Sequence, residues 1–182
     1  MAAKTKLNLG CGRDIRAGYL NLDSADLPGV DVVHDIEQLP LPFDDESFDE
    51  VLCLSIIEHL DYVPVLRDLH RILRPGGRLE ITGPHFTARN FYVDPTHKNA
   101  FSIDTFQFFV ADGEFAERDY YFDFHFARLE RAEIQFIKTH VEFWNHAVEP
   151  LVNRSPAMQR FYEATFLSRL FPASEVGVTL VK

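Results

Sequence analysis

Apolar positions recur along the chain at spacings that predict strands in alternation with helices. Residues 48–54 form a nearly continuous apolar run, which is typical of a central parallel strand buried on both faces. Downstream, one apolar stripe at helical spacing predicts a helix, and its members are Val65, Leu66, Leu69, Ile72 and Leu73. Residues 75–77, Pro-Gly-Gly, predict the end of this helix, because proline cannot continue it and glycine accepts positive φ.

Further short segments complete the pattern. Strands are predicted at residues 6–9, 19–23, 31–35, 78–84, 132–143 and 175–182, and a second helix at residues 156–170. Only a single turn of helix fits between the first two strands, at residues 14–18. Successive strand–helix–strand units predict an α/β fold with a doubly wound, mostly parallel sheet.

Residues 86–126 differ from the rest of the chain in composition. These 41 residues hold 13 of the 24 aromatic side chains and show little periodicity. We interpret the segment as an insertion, or cap, over one end of the sheet. The total length of 182 residues suits one domain, which we predict to span residues 1–182.

Charge and cysteine content narrow the function classes. The formal net charge is −10 and the sequence contains no basic patch, so we expect neither a nucleic-acid nor an anionic membrane partner. No apolar run is long enough for a membrane span, and residues 1–6 lack the apolar core of a signal peptide. Cys11 and Cys53 lie within apolar, strand-like segments, which predicts reduced thiols and a cytoplasmic setting.

The first strand ends in a glycine-rich turn, Gly10-Cys11-Gly12, which lets a ligand approach the backbone closely. Asp23 ends the second strand, where a carboxylate can accept hydrogen bonds from both hydroxyls of a ribose. A dinucleotide site needs a third glycine and an acid roughly 20 residues on. Here Asp14 occupies the third-glycine position and Asp23 comes 13 residues after Gly10. The spacing therefore favours a nucleoside without phosphates.

The glycine-rich turn is the first of several short motifs in a fixed order. They are LNLGCG at residues 7–12, YLNLD at 19–23, DIEQLPLPF at 35–43, SFDEV at 47–51, IEHL at 57–60 and LHRILRPGG at 69–77. With this ordered set the chain resembles the class I S-adenosylmethionine-dependent methyltransferases, in particular the small type 11 group. The resemblance covers residues 6–84 and implies a Rossmann-like sheet of seven strands with an antiparallel last strand.

The resemblance also implies which residues bind S-adenosylmethionine. The implied set is Gly10, Cys11 and Gly12 around the methionine and ribose, Asp23 at the ribose hydroxyls, Asp35 and the Ile36 N–H at the adenine, and Leu54 and Ser55 at the methionine end. Asn8 departs from the family, whose members usually carry an acid there, which leaves the partner of the cofactor's ammonium group unassigned. Arg13 is a candidate partner for its carboxylate.

Three histidines are candidate catalytic residues. His59 follows the fourth strand and His85 the fifth, at the carboxyl edge where open α/β sheets bind ligands. His97 lies in the motif YVDPTHK at residues 92–98, where the proline fixes a turn that can aim the ring inward. His59 and His97 each have a structural alternative, which for His97 is the capping of a helix near Ser102. Asp94 and His97 are two metal ligands with no third in sequence, so no metal site is predicted.

We therefore expect an enzyme that transfers a methyl group from S-adenosylmethionine to a small-molecule or sugar acceptor, with O-methylation as the first hypothesis. One alternative is a subunit that binds the cofactor, is catalytically silent and serves a partner. Another is non-methyl chemistry with the same cofactor. The aromatic content of residues 86–126 also makes a homodimer surface an open hypothesis.

Overall fold

A computed structural model describes residues 4–182 of the chain. Residues 1–3, which belong to the predicted domain and to the stretch searched for a signal peptide, lie outside the described residues. Seven strands form one sheet: β1 (Lys6–Leu9), β2 (Leu20–Asp23), β3 (Val32–Val33), β4 (Phe48–Leu54), β5 (Leu73–Pro84), β6 (Arg128–Gln135) and β7 (Glu175–Val181). Their order is β3-β2-β1-β4-β5-β7-β6.

Strand directions follow the predicted pattern. Strands β1 to β5 are mutually parallel, and β7 runs antiparallel to both of its neighbours, β5 and β6. The α/β class, the seven strands and the antiparallel last strand are thus confirmed. Strand β4 is central and its residues Val51, Leu52 and Cys53 are almost completely buried, as its apolar run predicts.

Five α-helices accompany the sheet: α1 (Tyr62–Ile72), α2 (Arg89–Val93), α3 (Asn145–Val152), α4 (Pro156–Ala164) and α5 (Leu167–Leu170). Helix α1 buries four of the five predicted stripe residues, Val65, Leu66, Leu69 and Ile72, and the fifth, Leu73, begins β5 instead. The helix predicted over residues 156–170 is interrupted at Thr165, which has extended backbone angles, so that α4 and α5 are separate. None of the helices within residues 4–182 has both the length and the apolar character that crossing a bilayer requires.

Several strand boundaries differ from those predicted. Strand β5 begins at Leu73 rather than at residue 78, because Leu73 pairs with Phe48 and a bulge accommodates the residues that follow. Strand β3 shortens to two residues, and β6 is shifted toward the N-terminus, to Arg128–Gln135. In each case sheet pairing, rather than local apolar content, sets where the strand ends.

The first half of the sheet is connected by turns. Within the described residues, the segments between β1 and β2, β2 and β3, and β3 and β4 contain no helix, and residues 14–18, where a single helical turn would fit, form irregular backbone instead. Asn8 and Asn21 hold these turns in place, because the Asn8 amide donates to the Asp14 carbonyl and to Asn21 Oδ1. Asn21 Oδ1 also accepts from the Arg16 N–H. The network positions the glycine-rich turn at the end of β1.

The aromatic segment 86–126 packs against helix α1 and joins the main core. It contains α2 and two 3₁₀ segments, Thr105–Phe109 and Ala116–Tyr121. The ring of Tyr62 lies 5.7 Å from that of Phe101 and 6.3 Å from that of Phe109. Phe126 is fully buried and lies edge-on to His70 of α1 at 5.1 Å. Much of the aromatic content of segment 86–126 therefore stabilises the fold, while the α2 end of the segment lies beside the candidate site.

Candidate functional site

The carboxyl ends of β1, β2 and β4 lie side by side and bring the predicted cofactor residues to one edge of the sheet. Gly10 and Gly12 have positive φ angles of 64° and 49°. A Cβ atom on Gly10 would lie 2.5 Å from Ile56 Cγ1, whereas one on Gly12 would meet nothing within 4 Å. Gly10 is thus required for packing of the turn, and Gly12 leaves open space beside the backbone.

Asp23 closes the glycine-rich turn from the end of β2. Its Oδ2 accepts a hydrogen bond of 2.7 Å from the Gly12 N–H, and its Oδ1 accepts from the Ala25 N–H. The backbone N–H of Cys11 donates to the Leu22 carbonyl. A carboxylate has about four acceptor positions, so Asp23 keeps free positions for hydroxyl donors. This geometry suits the ribose contact that the resemblance implies.

The remaining predicted cofactor residues lie along the same edge. Asp35 is exposed and accepts from the Glu37 N–H, while the Ile36 side chain is buried in the core. Leu54 ends β4, and Ser55 follows it with a positive φ of 52° that turns the chain sharply. The Ser55 N–H donates to the Thr82 carbonyl on β5, which anchors this turn.

The implied cofactor fits this edge on its adenosine side. The acids at the ends of β2 and β3 and the open space at Gly12 are what a nucleoside requires. Asn8 behaves differently from an acid at its position, because its amide nitrogen is engaged by Asp14 and Asn21. The position on β1 where the family usually carries an acid is therefore taken by an amide that holds the neighbouring turns.

A cavity of about 360 Å³ opens next to Ser55, at the ends of β4 and β5. It is lined by Ser55, Glu58, His59, Pro84, Asn90, Val93, Asp94, His97 and Glu175. The structure thus brings together two of the three predicted catalytic histidines, although 37 residues separate them in sequence. Their ring centroids lie 4.7 Å apart. The cavity adjoins the predicted methionine end of the cofactor site.

His97 is held inward by the turn that its motif predicts. Asp94 Oδ1 accepts from the Thr96 N–H, and only 9% of the His97 side chain is exposed. His97 Nε2 lies 3.9 Å from Glu58 Oε1 and 3.8 Å from Asp94 Oδ2. The alternative of a helix cap is not observed, because the nearby 3₁₀ segment begins at Thr105 with Asp104 at its cap position. The ring therefore faces two carboxylates.

Glu58 is the principal site residue that the sequence analysis missed. Its side chain is 4% exposed, and its Oε2 has no hydrogen-bond partner. Burial raises the pKa of this carboxyl, since the charged form is poorly solvated. The Glu58 carbonyl also accepts from the backbone N–H groups of Lys98 and Asn99, which fixes the His97 loop. The available signal was an ionisable residue four positions after the end of a buried strand and next to His59.

The third predicted catalytic residue, His85, does not line this cavity. Its side chain is fully buried, with Nδ1 bonded to Thr87 Oγ1 and Nε2 bonded to Glu163 Oε1. Glu163 also accepts from the Ser102 hydroxyl and the Ile103 N–H. Because both ring nitrogens are occupied, the structure gives His85 the role of joining β5 to helix α4.

A second cavity, of about 390 Å³, lies on the other side of helix α2. It shares Asn90 and Val93 with the first cavity and is otherwise lined by Arg89, Ile137, Glu142, Trp144, Asn145, Pro172, Ala173 and Ser174. Its lining is more apolar than that of the histidine cavity. A larger cavity of about 500 Å³ beside β6 contains none of the predicted site residues.

Comparison with known proteins shows similarity to methyltransferases. Residues 11–81 match a family model described as a methyltransferase domain. Demethylmenaquinone methyltransferase from Listeria welshimeri is 38% identical over 66 residues, which are 36% of this chain but only 28% of that relative's length. The chain thus matches well under two thirds of this curated relative.

Solved structures agree at the level of the fold. A SAM-dependent methyltransferase from Archaeoglobus fulgidus superposes with a TM-score of 0.61 at 18% identity, covering 100% of this chain and 87% of that one. Phosphoethanolamine N-methyltransferase 2 from Haemonchus contortus, solved with S-adenosylhomocysteine, gives 0.55 at 15% identity, covering 97% and 48%. Sheet order and the matched segment agree: the chain has the fold of S-adenosylmethionine-dependent methyltransferases of known structure, and its residues 11–81 match the methyltransferase domain.

Proposed function

We propose that the chain transfers a methyl group from S-adenosylmethionine to a small-molecule acceptor held in the cavity of Glu58, His59 and His97. The observation that carries this proposal is the position of the cavity. It shares Ser55 with the predicted cofactor site and presents two histidines and three acids there, of which Glu58 is buried. The acceptor would thus lie next to the methionine end of the cofactor.

The residues around the cavity have a direct role in this chemistry. S-adenosylmethionine, when bound, supplies a methyl group attached to a positively charged sulfur. Once the methyl group is transferred, the rest of the cofactor is the leaving group, a neutral thioether. An acceptor hydroxyl must lose its proton as its oxygen gains the methyl group, and His97 is placed to take that proton. The resulting imidazolium is stabilised by Glu58 Oε1 and Asp94 Oδ2, at 3.9 and 3.8 Å from Nε2.

We propose O-methylation of a hydroxylated small molecule or sugar as the first reaction. The polar lining of the cavity and the available proton acceptor support an oxygen nucleophile. The modest volume, about 360 Å³, favours a small acceptor. The net charge of −10 argues against nucleic acid as the acceptor.

A second candidate is C-methylation of an acceptor with an apolar portion. The apolar cavity of Val93, Ile137 and Trp144 adjoins the histidine cavity across α2 and could take such a portion. The similarity to a demethylmenaquinone methyltransferase favours the same reaction class. A quinol acceptor would place its ring near His97 and its apolar part beside Trp144.

Release of S-adenosylhomocysteine tests the proposal. The protein is incubated with S-adenosylmethionine and a panel of sugars, phenols and quinols, and we expect release with at least one acceptor. His97→Ala should lower turnover by roughly 10²–10⁴-fold, as loss of a proton acceptor does, with cofactor affinity unchanged. His140→Ala, at an exposed histidine outside the cavity, is the matched control. Cofactor binding without release across the whole panel would instead support the silent-subunit alternative.

We also propose a cytoplasmic setting without a nucleic-acid or membrane partner. Cys11 and Cys53 are both buried free thiols, which supports a reducing compartment. A homodimer remains a hypothesis, and exposed aromatic side chains such as Tyr92, Phe143 and Trp144 would supply its surface. Light scattering across a concentration series tests the oligomeric state.

A further inference from the structure

We propose that Glu58, His59 and His97 bind a divalent transition-metal ion. One ligand atom from each residue lies within 4.8 Å of the other two, so a single ion can contact all three. The sequence offered only Asp94 and His97 as ligands. The fold adds Glu58 and His59, which belong to a short 3₁₀ segment after β4 (Ile57–His59), and places them against the His97 loop.

The hydrogen bonds around His59 prepare one of its nitrogens for a metal. The Thr96 hydroxyl donates its one proton to Asp94 Oδ1 at 2.6 Å. In its contact of 2.9 Å with His59 Nδ1, Thr96 Oγ1 is therefore the acceptor and the His59 ring the donor. With its proton on Nδ1, the ring has a free lone pair on Nε2. A ligating histidine commonly donates its second N–H to such an outer partner, which fixes its tautomer and orientation.

Two buried atoms at this site have no partner. Glu58 Oε2 and His97 Nδ1 are completely enclosed and make no hydrogen bond in the structure, and their side chains are only 4% and 9% exposed. A buried carboxylate without compensation is unfavourable, and it is usually paired or coordinates a metal. A cation bound between Glu58 and His97 would compensate the carboxylate.

The ligand types select the class of metal. Two imidazoles and one carboxylate suit zinc and non-haem iron, whereas magnesium and calcium prefer oxygen ligands throughout. Ligands about 2.1 Å from a tetrahedral zinc ion lie about 3.4 Å apart. The separation of 3.9 Å between His97 Nε2 and Glu58 Oε1 therefore needs a contraction of about half an ångström.

Three protein ligands leave the ion at least one open position, and the cavity is next to it. With the ion bound, His97 is a ligand and no longer takes the acceptor's proton; the metal would instead make an acceptor hydroxyl bound there more acidic, so that its proton could pass to solvent. This consequence rests on the proposed function, but metal binding itself does not. The two ideas can therefore fail separately.

Metal titration of the isolated protein tests the inference. Chelator-treated protein is titrated with Zn²⁺ by calorimetry and with Co²⁺ by visible absorption, and we expect one ion per chain in both. His59→Ala and His97→Ala should each weaken Zn²⁺ binding at least 100-fold. Thr96→Val, which removes only the outer partner of His59, should weaken it by about 10–100-fold. His140→Ala and His146→Ala, at exposed histidines, should leave it unchanged.

Fold and function are monitored in the same samples. Glu58→Gln keeps the shape of the side chain but lowers its charge, so it reports on coordination if an alanine variant fails to fold. Zn²⁺ should raise the unfolding temperature of the unmodified chain and not that of Glu58→Gln. Absence of stoichiometric Zn²⁺ binding, or equal binding by folded His59→Ala and His97→Ala, would overturn the metal site. Cofactor binding measured alongside would still report on the proposed function.

Discussion

Gly10 illustrates how a single residue couples the glycine-rich turn after β1 to the turn after β4, which borders the histidine cavity. The direction that a side chain would take there is filled by Ile56, which follows Ser55 in the turn after β4. The glycine-rich turn and the Ser55 turn are therefore packed directly on one another. A substitution at Gly10 or at Ile56 should therefore alter the packing of both turns.

Replacing Gly10 by alanine should destabilise the fold by about 1–3 kcal/mol, because the new Cβ meets Ile56 and the residue must keep a positive φ. Adding Ile56→Ala should recover part of the loss by removing the clash. Urea unfolding of the two single variants and the double variant measures this coupling. Purely additive losses would show that Ile56 does not set the requirement for glycine.

Asp23 should contribute to cofactor affinity through its charged hydrogen bonds. We expect Asp23→Ala to weaken S-adenosylmethionine binding by about 1–3 kcal/mol. Asp26→Ala, at an exposed aspartate on the same loop, is the matched control and should bind normally. Calorimetric titration gives both affinities. Equal binding by Asp23→Ala and the control would remove Asp23 from the cofactor site.

At the scale of elements, the first half of the sheet relies on side-chain hydrogen bonds, because the described segments between β1 and β4 contain no helix. Asp31 accepts from the backbone N–H and the side-chain amide of Asn21, and its own N–H donates to the Asn21 carbonyl. These bonds, followed by the Lys4 ammonium, lower the pKa of Asp31 below its ordinary value. The ionised carboxylate therefore stabilises the β2–β3 region.

This pKa shift predicts a dependence of stability on pH. Since the folded pKa lies below the unfolded value of about 3.9, the contribution of Asp31 is complete above that pH and is lost as pH falls through the folded pKa. The free energy of unfolding should thus decline more steeply below pH 4 in the unmodified chain than in Asp31→Asn. Asp112→Asn, at an exposed aspartate, should retain the steep decline. Parallel curves of unfolding free energy against pH for all three proteins would show that the Asp31 carboxylate does not stabilise the fold.

The contacts of His85 define a second element-scale feature, the junction between β5, α4 and residues 102–103. Glu163→Ala would leave the His85 ring, the Ser102 hydroxyl and the Ile103 N–H without their acceptor. We expect a loss of about 1–3 kcal/mol for each buried group, with a smaller loss in Glu163→Gln. Cofactor affinity should be unchanged in Glu163→Gln. Unaltered stability combined with lost turnover would instead indicate that His85 takes part in the reaction.

The strands and the cofactor turn could be predicted from sequence because their signals are local. Strands β1 and β4 have the predicted boundaries, and helix α1 buries the predicted stripe up to Ile72. The cavity cluster could not be predicted in the same way. Glu58 and His97 meet only because β4 and the loop after α2 end at the same edge, and no local pattern encodes that contact. The early start of β5 likewise depends on its partner Phe48.

At the scale of the whole molecule, the sheet gathers its acids and histidines along the carboxyl edge of β1, β2, β4 and β5. A net charge of −10 gives the chain a potential that attracts a positively charged sulfonium. Ser55 lies between the two groups of residues, and belongs to the predicted cofactor site and to the histidine cavity. This arrangement supports a cofactor and an acceptor that meet at the end of β4.

The most direct test of this account is calorimetric titration of the folded protein with S-adenosylmethionine, S-adenosylhomocysteine and NAD in parallel. The spacing of Gly10 and Asp23, together with the open backbone at Gly12, predicts one site of micromolar affinity for the first two ligands and no binding of NAD. Far-ultraviolet circular dichroism confirms that the sample is folded. Failure of both adenosyl ligands to bind, or binding of NAD in their place, would contradict the account.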